Sequence, residues 1–314
     1  MLSTLGILLP VFALIFAGFV CRQRALLGPR AASELNRFVV RLALPALLFD
    51  ITAHSDWAQL TNPALVATFS VSCTAVFAIV LAARLMAGRQ LADASVDAIA
   101  ASYPNTGYLG FPLVLLAFGH AGLAPTTIAT VIVTCVLFTF AIVLIEIGVQ
   151  NERAPRKLAA KVAWSLVKNP LTMAPVVGAL VSGAAIALPP GLAAFTKLLG
   201  GAASPCALVS LGLFLAEPRP ATGTTRAALV FTGVKLLVQP MLAWWLAVHV
   251  FALATPLADV AVLLAALPTG TGPYMLAEFY RREAAVTAQT ILLSTMGSLV
   301  SLSLLLYWMR APGG

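Results

Sequence analysis

Charge is what this sequence has least of. Only 10% of its 314 residues are Asp, Glu, Lys or Arg, against roughly 25% in a soluble domain. A soluble chain of this length has too little polar surface here to cover itself, so an ordinary soluble enzyme and a disordered chain are both excluded. With 61% hydrophobic residues, the composition is that of an integral membrane protein embedded in a lipid bilayer. Cysteine is scarce as well. Cys21, Cys73, Cys135 and Cys206 lie in or at the ends of apolar runs with no CxxC spacing, which reads as small buried side chains. Catalytic signatures are missing: there is no HExxH, GxSxG or phosphate-binding glycine loop. His54, His120 and His249 stand apart near span ends. The expectation is a chain that is not an enzyme and holds neither cofactor nor metal.

The net charge of +8 does not imply nucleic acid, whose binders gather Lys and Arg on one polar face. Here the basic residues sit in short gaps between apolar runs, as topology signals do. Runs long enough to cross roughly 30 Å of hydrocarbon fall at 4–21, 34–53, 63–86, 94–118, 123–147, 169–187, 192–215, 226–253, 257–280 and 285–308. No gap has room for the output domain of a sensor. The first run has its positive residues, Arg22 and Arg24, after it, so it reads as a retained span and not a cleaved leader.

The gap after span 1 holds Arg22, Arg24 and Arg30, and the gap after span 3 holds Arg89. The gap after span 5 holds Arg153, Arg156, Lys157 and Lys161. Arg219 follows span 7, and Arg281 and Arg282 follow span 9. The gaps after spans 2, 4, 6 and 8 have no Lys or Arg. The positive-inside rule then makes the odd gaps cytoplasmic and puts both termini outside. The membrane expected is a bacterial inner membrane, on the Ala-rich composition and the short linker.

Five spans, a basic linker and five more spans give an inverted repeat, because an odd number per half turns the second half over. The expected fold is therefore an all-α polytopic membrane protein. Its first repeat is 1–150, its linker 151–165 and its second repeat 166–314. The halves match in detail. Span 2 has Pro45 in LALPALLF and span 7 has Pro205 in ASPCALVSLGLF. Span 4 is interrupted by AASYPNTGYLGFPL and span 9 by AALPTGTGPYML. Proline removes a backbone donor and clashes with the preceding turn. At ~1.5 Å per residue, Pro104 and Pro268 both lie ~15 Å deep, near mid-membrane. Unwound backbone there is tolerated only inside protein or beside a watery cavity. The half-helices that follow present positive dipole ends able to attract an anion. Paired breaks also fit alternating access better than a static pore.

At these residues the chain resembles the auxin efflux carriers and their bacterial relatives. YPNTGYLGFPL is similar to that family's first crossover, and ALPTGTGPYMLAEFY to its second. SLGLFLA and LPALLF also fit, so the resemblance runs along essentially the whole chain. It implies a bile-acid-symporter-like arrangement of ten helices with spans 4 and 9 crossed. Spans 1, 2, 6 and 7 would form a scaffold, and spans 3–5 and 8–10 a moving transport domain. It also implies a homodimer through scaffold helices and a small carboxylate such as malate or malonate as substrate. Two features depart from the plant pattern. Tyr103 stands where plant carriers have an asparagine, which points away from auxin itself, and a short basic linker replaces a large loop.

Several polar residues are candidates for substrate binding. Asn105 at the span 4 break offers an amide that donates to a carboxylate or caps the freed half-helix. Thr106 follows it, and Tyr103 and Pro104 complete the break. Pro268, Thr269, Gly270 and Thr271 are the equivalents in span 9. The family resemblance adds Thr134 before Cys135. Leu44 and Leu48 flank Pro45 and would offer an apolar wall or core packing. Gln289 in span 10 is a ligand or an interhelical hydrogen-bonding group. Lys235 is the one Lys or Arg well inside a span, ~13 Å beyond Arg226. It would lend positive potential to an anion, replace a coupling cation or snorkel. Gln239 is its neighbour one turn on.

No Asp or Glu stands at a span midpoint, which leaves no evident intramembrane acid relay. The expected function is efflux of a small organic anion by alternating access, held at the crossover and driven by the membrane potential. The alternative is a sodium- or proton-coupled importer of a neutral or cationic solute.

Overall fold

The computed structural model describes residues 2–55, 62–150, 164, 167–217 and 225–310. Arg219, and all of the basic linker at 151–165 except Trp164, lie outside the described residues. What is described is helical, with no strand beyond one isolated bridge. Six helical stretches are long and apolar enough to span a bilayer: Gly6–Gln23, Pro63–Met86, Thr106–Val149, Pro190–Leu215, Thr225–Val250 and Ala285–Met309. Pro170–Gly183 and Thr255–Ala266 are apolar and shorter. The chain is an integral, polytopic membrane protein.

Two compact units divide the chain. The first draws on Met1–Asn62, Gly107–Val131 and Leu166–Pro218, and the second on Pro63–Thr106, Ile132–Ser165 and Arg219–Gly314. In the first unit, α1 (Leu2–Gln23), α2 (Ala31–Phe38) and α3 (Leu44–Ala53) are followed by α6 (Phe111–Phe118) and α7 (Leu123–Val131). It is completed by α9 (Pro170–Gly183), α10 (Pro190–Gly201) and α11 (Ala203–Leu215). Small residues set its packing. A Cβ on Gly18 would lie 2.1 Å from the Val209 carbonyl oxygen, and one on Gly212 would lie 1.9 Å from that of Ile15. Helices α1 and α11 therefore meet backbone to backbone, as membrane helices do where small residues line the contact. Gly200 approaches Leu47 of α3 in the same way. Leu44 and Leu48 are buried in this unit's core with Val39, Ile51, Phe111 and Leu171.

In the second unit, α5 (Leu91–Ser102) packs against both α4 (Pro63–Met86) and α8 (Phe138–Gln150). The remaining helices are α12 (Thr225–Gly233), α13 (Gln239–Trp245), α14 (Thr255–Ala266), α15 (Gly272–Phe279) and α16 (Ala285–Arg310).

Widened π-helical turns recur immediately before prolines. Val39–Ala43 precedes Pro45, Thr106–Gly110 precedes Pro112, and Val234–Val238 precedes Pro240. A proline ring clashes with the carbonyl four residues back, and widening the preceding turn relieves the clash without ending the helix.

Candidate functional site

The two breaks expected from sequence lie in the second unit and are hydrogen-bonded to each other. Helix α5 ends at Ser102 and α14 at Ala266. Beyond them the chains run antiparallel for a single bridge, Pro104 opposite Thr269. The Asn105 N–H donates to the Pro268 carbonyl at 2.9 Å, and the Gly270 N–H to the Tyr103 carbonyl at 3.1 Å. The structure thus brings Tyr103, Pro104, Asn105, Pro268, Thr269 and Gly270 together, with Thr106 and Thr271 adjoining in the chain.

A break orphans carbonyls, and each orphan must find a donor because no water is available in an apolar interior. The Ala100 carbonyl would bond the N–H of residue 104, which is proline and has none; the Thr269 hydroxyl donates to it at 2.9 Å. The N–H of Thr106, which would serve Ser102, turns to Pro104 instead. The Gln239 amide donates to the Ser102 carbonyl at 3.1 Å, and also to Cys73 Sγ at 3.2 Å. The N–H of Thr269, which would serve Ala265, donates to Ser294 Oγ at 3.1 Å. Lys235 Nζ donates to the Ala265 carbonyl at 2.7 Å.

Lys235 and Gln239 are therefore caps for the ends of α14 and α5. Four residues apart on one helix, they share a face, and both are wholly buried. The ammonium also opposes the negative ends of these two half-helices. Gln239 directs its amide to Ser102 and Cys73.

One side of the crossover is less enclosed. Tyr103 is half-buried, its ring edge-on to Phe138 with centroids 5.8 Å apart. A Cβ on Gly270 or Gly272 would lie 3.0 Å from that ring, so the glycines of the second break make the bed on which the tyrosine lies. Helix α15 starts there at Gly272, and the Thr271 side chain before it makes no capping hydrogen bond. Thr271, Thr134 and Gln289 are half-buried, whereas Asn105, Thr106 and Thr269 are nearly inaccessible. Thr134 Oγ1 lies 3.7 Å from Cys135 Sγ. Gln289 is on α16, the helix that brings Ser294 to Thr269. Leu44 and Leu48 belong to the first unit's core. A Cβ on Gly107, in that same unit, would come 3.2 Å from Leu44.

The family model for membrane transport proteins matches residues 4–306. The chain belongs to that family. This is the family of the auxin efflux carriers, which the two crossover motifs resemble. The transporter is 30% identical over 308 residues to the "Putative malonate transporter" of Rhizobium meliloti, covering 98% of this chain and 96% of that one. It is 28% identical over 301 residues to an "Uncharacterized transporter" of Methanothermobacter thermautotrophicus, covering 94% and 95%. It is 24% identical to the "Uncharacterized transporter YfdV" of Escherichia coli, covering 98% of both chains. Family and relatives are transporters, not enzymes.

One end of the transporter's second unit is laced by ion pairs. Arg282 grips Asp93 at 2.6 and 2.8 Å, and Arg84 holds the buried Asp97 at 2.7 Å. Arg89 reaches Glu283 at 2.8 Å. Asp93 and Glu283 hold the Arg282 and Arg89 guanidiniums more firmly in their charged forms. Among the described residues no group of three or more His, Cys, Asp or Glu is placed to hold a metal ion.

Sequence reasoning missed Ser294, Cys73 and the acceptor carbonyls of Ala100, Ser102 and Ala265. A signal for Ser294 was present: Thr287, Thr290, Ser294 and Ser298 recur at helical spacing and are all fully buried, a polar stripe on one face of an otherwise apolar helix.

Proposed function

We propose that this transporter carries a small organic anion, of the carboxylate class, outward across the membrane by alternating access. The observation that carries the reading is the crossover: two broken segments pinned to each other, with Lys235 and Gln239 capping the ends of α14 and α5. The anion would lie on the less enclosed side, against Tyr103 and Thr271 at the start of α15, with Asn105 and Thr106 buried just beneath. Local charge favours this. No Asp or Glu occurs from 98 to 145 or from 260 to 277, and Lys235 is the buried cation behind the breaks. The name of the Rhizobium relative also points to a small dicarboxylate. The substrate is read as moving down the membrane potential without a coupling ion.

The same reading includes ten spans as two inverted repeats. The 44-residue stretch Thr106–Val149 is far longer than the ~20 residues one crossing needs, and at Gly119 its backbone turns with φ +69°; both features support two spans there. The ion pairs joining Arg89 to Glu283 and Arg282 to Asp93 support placing the loops after spans 3 and 9 on one, cytoplasmic, side of a bacterial inner membrane. Spans 1, 2, 6 and 7 fall in the first compact unit and spans 3, 8, 9 and 10 in the second, which supports a scaffold and a transport domain. Residues 107–131 group with the first unit, so the scaffold read here is larger than those four spans.

The test is thermal stabilisation of the purified transporter by malate, malonate, succinate, benzoate and indole acetate, each in sodium and in potassium. One acid should stabilise the protein in either salt and lose its effect in Asn105→Ala. Stabilisation by sodium alone would replace this reading with the coupled importer.

A further inference from the structure

A groove of about 670 Å³ lies in the second unit, and none of the crossover residues Tyr103–Thr106 or Pro268–Thr271 lines it. Its walls are the helical stretch through α12 and α13 on one side and α16 on the other, with Val262 and Ala266 of α14 at its floor. The two walls run in parallel. Gly233 and Gly297 face the groove away from its aromatic end, where a Cβ on Gly297 would touch Leu236, and on the first wall the lining continues past Gly233 to Thr232 and Leu229. Trp244 and Trp308 meet edge to face at the other end, 6.5 Å between centroids, and His249 lies against Trp244. The α16 wall runs from Gly297 to Trp308, eleven helical steps or about 16 Å, which is one leaflet of a hydrocarbon core about 30 Å thick. The opposite wall runs from Leu229 to Trp244, fifteen steps or about 22 Å.

The lining carries no charge. Its polar side chains include Thr232 and Ser301, whose hydroxyls are buried without a hydrogen-bond partner. The rims, Leu237, Met241, Val300 and Leu304, are each about half exposed or more, and in a membrane protein that exposure is to lipid. Paired tryptophans at one end are the signature of a membrane–water boundary. Three lining residues, Leu236, Pro240 and Ala266, are chain neighbours of Lys235, Gln239 and Ala265, which take part in capping the two breaks.

We propose that this groove is a binding site for one acyl chain of a membrane phospholipid. The headgroup sits at the level of Trp244, Trp308 and His249, and the chain tip reaches Gly233 and Gly297 behind the crossover. Length, apolar lining and aromatic mouth each match a single chain of one leaflet. Gly233 leaves the space a chain needs: nothing lies within 4 Å of where its Cβ would be, and its backbone is that of an ordinary helix, φ −61° and ψ −45°. A side chain there therefore enters open space at its Cβ, and a leucine would occupy groove volume.

The experiment uses the full-length protein in phosphatidylcholine nanodiscs doped with a lipid carrying a diazirine near one acyl terminus. After photolysis, adducts are mapped by peptide mass spectrometry. Labelling should concentrate on Gly233–Met241 and Gly297–Leu304, exceed that at the exposed Leu9 and Phe16 of α1, and fall about tenfold in Gly233→Leu. Gly6→Leu, which also adds a side chain into open space, should leave it unchanged. Labelling no stronger than at Leu9 and Phe16, or unaltered by Gly233→Leu in a protein with the wild-type elution profile, would overturn the proposal. So would loss of labelling together with a change of oligomeric state in Gly233→Leu, which would assign the groove to a second copy of the chain.

Discussion

Replacing Lys235 with methionine separates its charge from its bulk. The ammonium donates at 2.7 Å to a carbonyl at the end of α14, and the side chain is completely buried. A hydrogen bond from a charged donor contributes about 1.5–3 kcal/mol net, and an orphaned buried carbonyl costs about 1–3 kcal/mol. Against this, a buried ammonium carries a desolvation penalty of several kcal/mol, which the variant removes. Lys235→Met should therefore cost little stability, on the order of 1 kcal/mol. Lys235→Ala also deletes the methylene stem, at about 0.8 kcal/mol per group plus a cavity, and should melt well below Lys235→Met. Anion binding should not follow that ranking. An anion at the crossover, about 10 Å away at an effective dielectric constant of 20, gains roughly 1.7 kcal/mol from the ammonium, or about 10- to 20-fold in affinity. Both variants should lose it equally. The assay is the stabilising effect of the best carboxylate titrated on wild type and both variants. Affinity that is unchanged in Lys235→Met would refute the electrostatic role, whatever happens to stability.

Thr269→Val preserves shape but leaves the Ala100 carbonyl without its donor, so it should destabilise by about 1–3 kcal/mol; combined with Ser294→Ala in a thermal-melt cycle, the two losses should be non-additive. Gly212→Ala puts a methyl group 1.9 Å from the Ile15 carbonyl, so it should cost about 1–3 kcal/mol or more, read as a lost monodisperse peak in size exclusion. Among the described residues, Arg84→Gln leaves the buried Asp97 with only Arg89, 3.7 Å away, and should cost up to about 3–5 kcal/mol; adding Asp97→Asn should recover part of the loss in the same melt.

The breaks were legible because their cause is local. Pro104 and Pro268 each remove a donor from an apolar run, and glycines follow them. That much needs only the chemistry of one residue and its position in the span. What replaces the lost bonds is not local. Thr269 serves a carbonyl 169 positions earlier in the chain, and Gln239 one 137 positions earlier; no spacing rule encodes such pairings. Lys235 stood out by its charge alone, and its direct partner, a backbone carbonyl, leaves no mark in a sequence. The second unit holds α4, α5, α8 and α12–α16. The grouping of 107–131 with the first unit depends on packing that Phe111 and Leu123 make with α3 and α2, which hydropathy does not report.

These pairings narrow what is left for a substrate. Inside an apolar unit a polar side chain is expensive unless bonded, and a broken helix is expensive unless its carbonyls are served. The two costs cancel when one meets the other, and here they do: the Thr269 hydroxyl, the Gln239 amide and the Lys235 ammonium each meet an orphaned carbonyl. Thr269 and Gln239 are therefore structural members of the crossover whose loss would first show in stability. On the proposed reading, Lys235 would act on an anion only through the field it sets up from behind the breaks. Direct recognition, on the same reading, would fall to Tyr103 and Thr271 on the less enclosed side and to the amide of Asn105 beneath them, whose backbone N–H is already bonded to Pro268. Selectivity among carboxylates would be set by Tyr103, because its ring fills the bed made by Gly270 and Gly272. Tyr103→Asn, which introduces the plant residue, would empty that bed and should move preference toward larger aromatic acids in the stabilisation panel. An unchanged order of preference would remove Tyr103 from the substrate's path.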